Sequence, residues 1–196
     1  MANVRPSPVL RRLSGVLLGV AACAACVGAG TGTGAGTTVE DDAPQPARIV
    51  ELVGVLTRER IEAEAPGWAE AVGAARPDVA AALELGAVPP GASVDVVLGT
   101  WCGDSRREVA RLWAALDALS APVPFELRYV GVDRSKQEPQ SLLEGLDLRY
   151  VPTFVVRRDG SEVGRIIESA PEGIERDLAA LLSGARSGVI SGRDDL

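Results

Sequence analysis

Cys102, in the run Thr100-Trp101-Cys102-Gly103-Asp104-Ser105, is the residue best suited to do chemistry. A thiolate attacks disulfides and ligates metals, and its neighbours decide which use is open. The chain holds no histidine, which excludes Ser-His-Asp and Cys-His catalysis and every His-ligated metal site. Its three cysteines, Cys23, Cys26 and Cys102, are too few for a disulfide scaffold or a four-cysteine zinc site. The sequence therefore implies no metal and no cofactor, and leaves thiol chemistry at Cys102.

The elements around Cys102 give that thiol its setting. Val94 to Leu98 reads as a short apolar strand ending at Gly99. Arg106 to Leu119 reads as a helix with Val109, Leu112, Trp113, Leu116 and Leu119 on one face. Cys102 thus stands at or just before a helix N-terminus, where unpaired amides and the positive dipole end favour a thiolate. Arg106 and Arg107 add to that effect and Asp104 opposes it; the sequence leaves the sum open. Gly103 lets a second chain approach closely. Ser105-Arg106-Arg107-Glu108 fits a capping box, so Ser105 and Asp104 also read simply as a helix start.

Phe125 to Val132 alternates as a strand, and Glu138 to Leu146 reads as a short helix. Thr153 to Arg157 and Glu162 to Glu168 are strands joined by the hairpin turn Asp159-Gly160. A last helix runs from Pro171 to about Leu182. A right-handed crossover makes the first two strands parallel and the hairpin makes the last two antiparallel. The expectation is an α/β fold with a mixed four-stranded sheet and flanking helices. Ahead of it, residues 47–90 read as a helical extension. It contains helices at Thr57 to Ala65, Trp68 to Ala75 and Pro77 to Leu85, with Thr57 as a cap, while Arg48 to Leu56 has no clear type. Residues 184–196 are polar and glycine-bearing and read as a flexible tail.

Residues 1–22 read as a signal peptide. Arg5, Arg11 and Arg12 precede the apolar stretch Leu13 to Ala22, which is far shorter than the roughly 20 residues that span a bilayer. Residues 23–46 read as a tether, because Gly28 to Thr38 is entirely Gly, Thr and Ala. These glycines form no phosphate loop: no GxGxxG falls in frame and no GK[ST] is present. The net charge of -7 and 4% aromatic content argue against nucleic-acid binding.

Two resemblances enter on these motifs. Val20-Ala21-Ala22-Cys23 resembles the cleavage box of bacterial lipoproteins, in which the cysteine becomes the lipid-modified first residue. Cleavage there removes three arginines and no acid, leaving 17 basic and 27 acidic groups. So acidic a chain gains nothing from anionic membranes, and its membrane hold must come through lipid. The resemblance implies an exported, envelope-located lipoprotein facing the periplasm or the exterior.

Trp101-Cys102-Gly103 after a buried strand, with Val151-Pro152-Thr153 some fifty residues on, resembles the thioredoxin superfamily over about residues 91–183. By that resemblance Cys102 is the nucleophile, Pro152 is cis and faces it, and the backbone beside Pro152, at Val151 and Thr153, pairs with an extended substrate segment. Trp101, Gly103 and Asp104 would border the same substrate. Two departures matter. Ser105 stands at the place of the resolving cysteine, and Val96 at the place of the family's buried acid. Asp95 is next to it but faces the other side of the strand.

A lone Cys102 can still form a mixed disulfide, with Ser105 placed to donate a hydrogen bond to the thiolate. Release then needs an external reducing thiol, and the partners are protein disulfides or thiols. The alternative is a non-catalytic binding or chaperone-like module on the same scaffold. An iron–sulfur role on the pattern of monothiol glutaredoxins fits poorly, because Trp101 and Asp104 depart from it. A cysteine peroxidase also fits poorly, because Gly99 replaces the expected hydroxyl residue. Trp68 and Trp113 read as core. Asp133-Arg134-Ser135-Lys136 reads as a solvated loop or a lining of the same sheet edge, and Arg149 and Tyr150 as flanks of the Pro152 turn or walls of a groove.

Overall fold

A computed structural model describes residues 49–196, all within one compact unit. The expected signal peptide and the whole tether, Cys23 and Cys26 included, lie outside the described residues. Six strands and six helices follow in the order β1 (Gly54–Leu56), α1 (Arg58–Glu64), α2 (Trp68–Ala74), α3 (Val79–Gly86), β2 (Ala92–Leu98), α4 (Gly103–Asp117), β3 (Phe125–Gly131), α5 (Gln140–Leu143), β4 (Thr153–Arg158), β5 (Ser161–Ile167), α6 (Ile174–Ser183) and β6 (Gly188–Ser191).

The class is α/β as expected, but the sheet has six strands rather than four, ordered β1-β3-β2-β4-β5-β6. β2 is parallel to β3 and antiparallel to β4, and β4 is antiparallel to β5, as the crossover and the hairpin require. Asp159 and Gly160 both have positive φ, 51° and 77°, the conformation that a two-residue hairpin needs. The two added strands sit at the edges. β1, inside the expected helical extension, pairs antiparallel with β3. β6, inside the expected flexible tail, pairs parallel with β5, and Ile190 is buried in the main core.

The sheet separates two apolar clusters. On one face Val94, Val96, Leu98, Phe154 and Ile166 pack with Trp113 of α4, Leu178 of α6 and Trp68, Leu85 and Ile61 of the extension. On the other, Val97, Val130, Val132, Val151 and Val155 form a smaller cluster against which Trp101 and Cys102 pack. Strict alternation along β2 puts Val96 in the first cluster and Asp95 on the second face. There Asp95 accepts from Arg128 Nε at 2.7 Å and pairs with Arg157. It is committed to a cross-strand ion triad, away from the place of the family's acid.

Helix boundaries differ in instructive places. Thr57 caps α1 as expected, accepting from Arg60 N at 3.2 Å. α4 begins three residues earlier than the capping box suggests, because Cys102 itself is the N-cap residue and its carbonyl accepts from Arg106 N at 3.1 Å. α5 is one turn long, and Gly145 at positive φ turns the chain soon after it. α6 starts at Ile174, behind Gly173 at φ 96°.

Candidate functional site

The site is built where β2 ends and α4 begins. Cys102 is half-buried, with extended backbone, and Cys102 N donates to Gly99 O at 2.9 Å, closing the turn between strand and helix. No side chain caps the amides of the first turn of this 15-residue helix. Gly99 is required by its surroundings: a Cβ there would meet the Trp101 ring at 2.6 Å. The indole therefore folds back over the strand end, donates from Nε1 to Val132 O at 3.0 Å, and carries the Arg134 guanidinium 5.3 Å from its ring centre.

The turn at residues 151–153 comes to the same point. The Val151–Pro152 peptide is cis, and Cys102 Sγ lies 3.4 Å from Val151 O, so the thiol donates to the carbonyl before the proline. Thr153 Oγ1 donates to Tyr150 O at 2.8 Å and Glu168 N donates to Pro152 O at 2.8 Å, fixing both sides of the turn. Of the residues expected at the site, Cys102, Trp101, Val151, Pro152 and Thr153 are brought together. Gly103 is exposed, with nothing within 4 Å of a Cβ.

Asp104 and Ser105 do something other than expected. Asp104 accepts from Arg107 Nη1 at 2.6 Å. Arg107 also donates to Glu108 at 3.1 Å, so this arginine is occupied by two carboxylates. Ser105 is fully buried in the first turn of α4, and its hydroxyl accepts from Gly99 N at 3.2 Å. It neither caps the helix nor hydrogen-bonds Cys102 here; it ties the helix back to the strand end. Cys102 is the one cysteine among the described residues.

Several supporting contacts carry no signal of their own in the sequence. Thr100 Oγ1 donates to Val50 O at 2.6 Å and accepts from Leu52 N at 3.0 Å. Trp68, in the core as expected, donates from Nε1 to Thr100 O at 3.1 Å. The extension thus holds the cysteine loop from behind. Asp133 organises the loop after β3: its carboxylate accepts from the amides of Ser135, Gln137 and Glu138 and from the Ser135 hydroxyl, which hold its pKa down to about 2. On the far side Arg193, just past β6, stacks 4.1 Å from the Tyr150 ring and pairs with Glu168 at 2.7 Å. It joins the two sides of the Pro152 turn.

A βαβ unit, a hairpin, a terminal helix and a cis proline facing a cysteine at a helix start make the arrangement that the resemblance implied. The fold is thioredoxin-like. A protein of unknown function from Pseudomonas aeruginosa superposes with a TM-score of 0.51 at 17% identity, covering 68% of this chain and 94% of that one. That likeness concerns the fold alone. An HIV epitope-scaffold (TM-score 0.43, 19% identity, 63% of this chain and 80% of that one) and a mutant thioredoxin from Halobacterium salinarum (0.34, 19%, 52% and 80%) superpose more loosely and carry no weight. No protein-family model and no curated protein matches the sequence. Among the described residues, no helix is long and apolar enough to cross a membrane.

Proposed function

We propose that this protein performs monothiol-type thiol–disulfide exchange through Cys102. One observation carries the reading: a half-exposed thiol at the start of a long helix, 3.4 Å from the carbonyl that precedes a cis proline. The Cys102 thiolate attacks one sulfur of a partner disulfide. A new S–S bond forms between Cys102 and that sulfur, the partner's S–S bond breaks, and the second partner sulfur leaves with the electron pair and takes a proton from water. With Ser105 at the resolving position, an external thiolate attacks the partner sulfur of the mixed disulfide; a new S–S bond forms between the external thiol and the partner, the bond to Cys102 breaks, and Cys102 leaves with the electron pair. Trp101 walls the thiol on one side, and the Val151–Thr153 backbone offers pairing to an extended partner segment.

The proposed setting is the cell envelope, with the signal peptide removed and Cys23 lipidated, so that the membrane is met only through lipid; nucleic acid has no part. Cys23→Ala is expected to move the protein from the membrane fraction to the soluble fraction, and an unchanged distribution would overturn the anchoring. The exchange itself is tested with a disulfide-bonded peptide and the full chain. A mixed disulfide mapped to Cys102 and absent from Cys102→Ser is expected; none at any pH would overturn the reading. The second reading is a binding or chaperone-like module. The buried Ser105 favours it, and it requires Cys102→Ser to keep partner binding and biological role intact.

A further inference from the structure

Starting at Gly103, the residue after Cys102, a groove of about 620 Å³ runs between α2 and the first turns of α4. One wall is small, made by Ala71, Ala74 and Ala75. Four arginines line the groove: Arg76, Arg106, Arg107 and Arg111. The acid in the groove lining is the half-buried Asp104, which Arg107 holds.

Three of these guanidiniums are held in place. Arg76 donates to the carbonyls at the end of α2, to Gly73, Ala74 and Ala75 at 3.2, 2.9 and 2.8 Å. Arg107 is held by Asp104 and Glu108, and Arg111 by Glu175 at 2.8 Å. Each guanidinium has five N–H donors, so each keeps free donors for another acceptor. Arg106 is exposed and makes no side-chain hydrogen bond or ion pair among the described residues; it lies over Gly67. Glu108 and Glu175, bonded to Arg107 and Arg111, are buried. The exposed layer is therefore cationic on a chain whose net charge is -7.

Gly103, next to Cys102, lines the groove and is exposed, and a Cβ there would meet nothing within 4 Å. A polypeptide whose sulfur reaches Cys102 and which continues past Gly103 enters the groove. Its alanine wall admits a main chain closely, and its arginines face the side chains.

We propose that this groove docks an acidic stretch of the partner polypeptide, with carboxylates a few residues from its reactive sulfur meeting Arg76, Arg106, Arg107 and Arg111. The proposal rests on the exchange reading of Cys102 and adds the chemical class of its partner. The overall negative charge predicts the reverse preference, so a preference for acidic partners isolates the groove's contribution.

The test uses the full chain and two peptides, each with one cysteine activated as a thiopyridyl disulfide, flanked in one by four aspartates and in the other by four lysines. The rate of loading onto Cys102 is measured at low and high salt, with neutral 2,2′-dithiodipyridine as control. At low salt the acidic peptide is expected to load about tenfold faster or more, within the range of electrostatic steering. The gap should close near 1 M salt, where screening acts over about 3 Å. Arg106→Glu with Arg76→Gln is expected to abolish or invert the preference, read as the ratio of the two peptide rates after each is divided by the same variant's dithiodipyridine rate. Equal peptide rates at low salt, or a preference that survives both substitutions, would overturn the docking proposal while a reactive control leaves the exchange reading standing. A control that fails to react at Cys102 overturns both.

Discussion

Thr100 shows how much of the cysteine loop rests on one hydroxyl, which bonds Val50 O and Leu52 N at once. Thr100→Val keeps the shape and leaves both backbone groups without that partner, an expected loss of about 1–3 kcal/mol by chemical denaturation. An unchanged midpoint would mean that the extension does not hold the loop. Residue types go far here: Cys102, Trp101 and the Val151-Pro152-Thr153 turn are readable as one constellation. Ser105 is not, because its hydroxyl is equally suited to a cap, to the thiol, or to the Gly99 amide it meets, and only the path of the chain chooses. Thr100 and Trp68 are not, because the bonds they make are to backbone atoms distant in sequence.

At the scale of elements, the central strands and long helices are legible from their period, and the two strands that escape it share a cause. β1 and β6 have three and four residues, too few for an alternation to register, and each exists because a neighbouring strand offers an unpaired edge. Val189-Ile190 is the signal in the tail, faint among glycines and charges. β6 brings Arg193 to Tyr150 and so braces the Pro152 turn. Ile190 is 2% exposed, and Ile190→Ala is expected to remove about 2–5 kcal/mol from the docking of β6. Hydrogen exchange is expected to accelerate at residues 189–191 and, as the brace loosens, at Thr153. Unchanged protection would contradict the bracing role. The start of α4 falls three residues ahead of Arg106 because the capping-box pattern at Ser105 to Glu108 competes with the turn that Gly99 and Cys102 close.

Over the whole molecule, buried acids and paired acids pull stability in opposite directions with pH. Asp133, at about 2, and Asp117, lowered first by its hydrogen bonds from Arg58, favour the folded state above their unfolded values. That contribution is lost as pH falls through their folded values. Glu108 is raised, chiefly by burial, so the folded state binds its proton more tightly than the unfolded chain does. Its contribution is complete below the unfolded value and is lost as pH rises through the folded one. Glu108→Gln removes that titration; the fall in urea stability from pH 4.5 toward neutral is expected to be shallower in this variant. An identical slope would contradict the assignment. The same substitution weakens the ion pair with Arg107, whose guanidinium is mostly in solvent, so that change is worth little.

The measurement that bears most directly on Cys102 is a time course of intact-mass spectra. The full chain is mixed with a disulfide-bonded partner peptide, and an external monothiol is added late. The exchange reading predicts a Cys102-linked adduct that accumulates and persists, then decays in proportion to the added thiol, returning free Cys102 and the peptide as its mixed disulfide with the monothiol, which a second monothiol converts to reduced peptide and the monothiol's own disulfide. An adduct that never forms at Cys102, or one that resolves before the thiol is added, would contradict it.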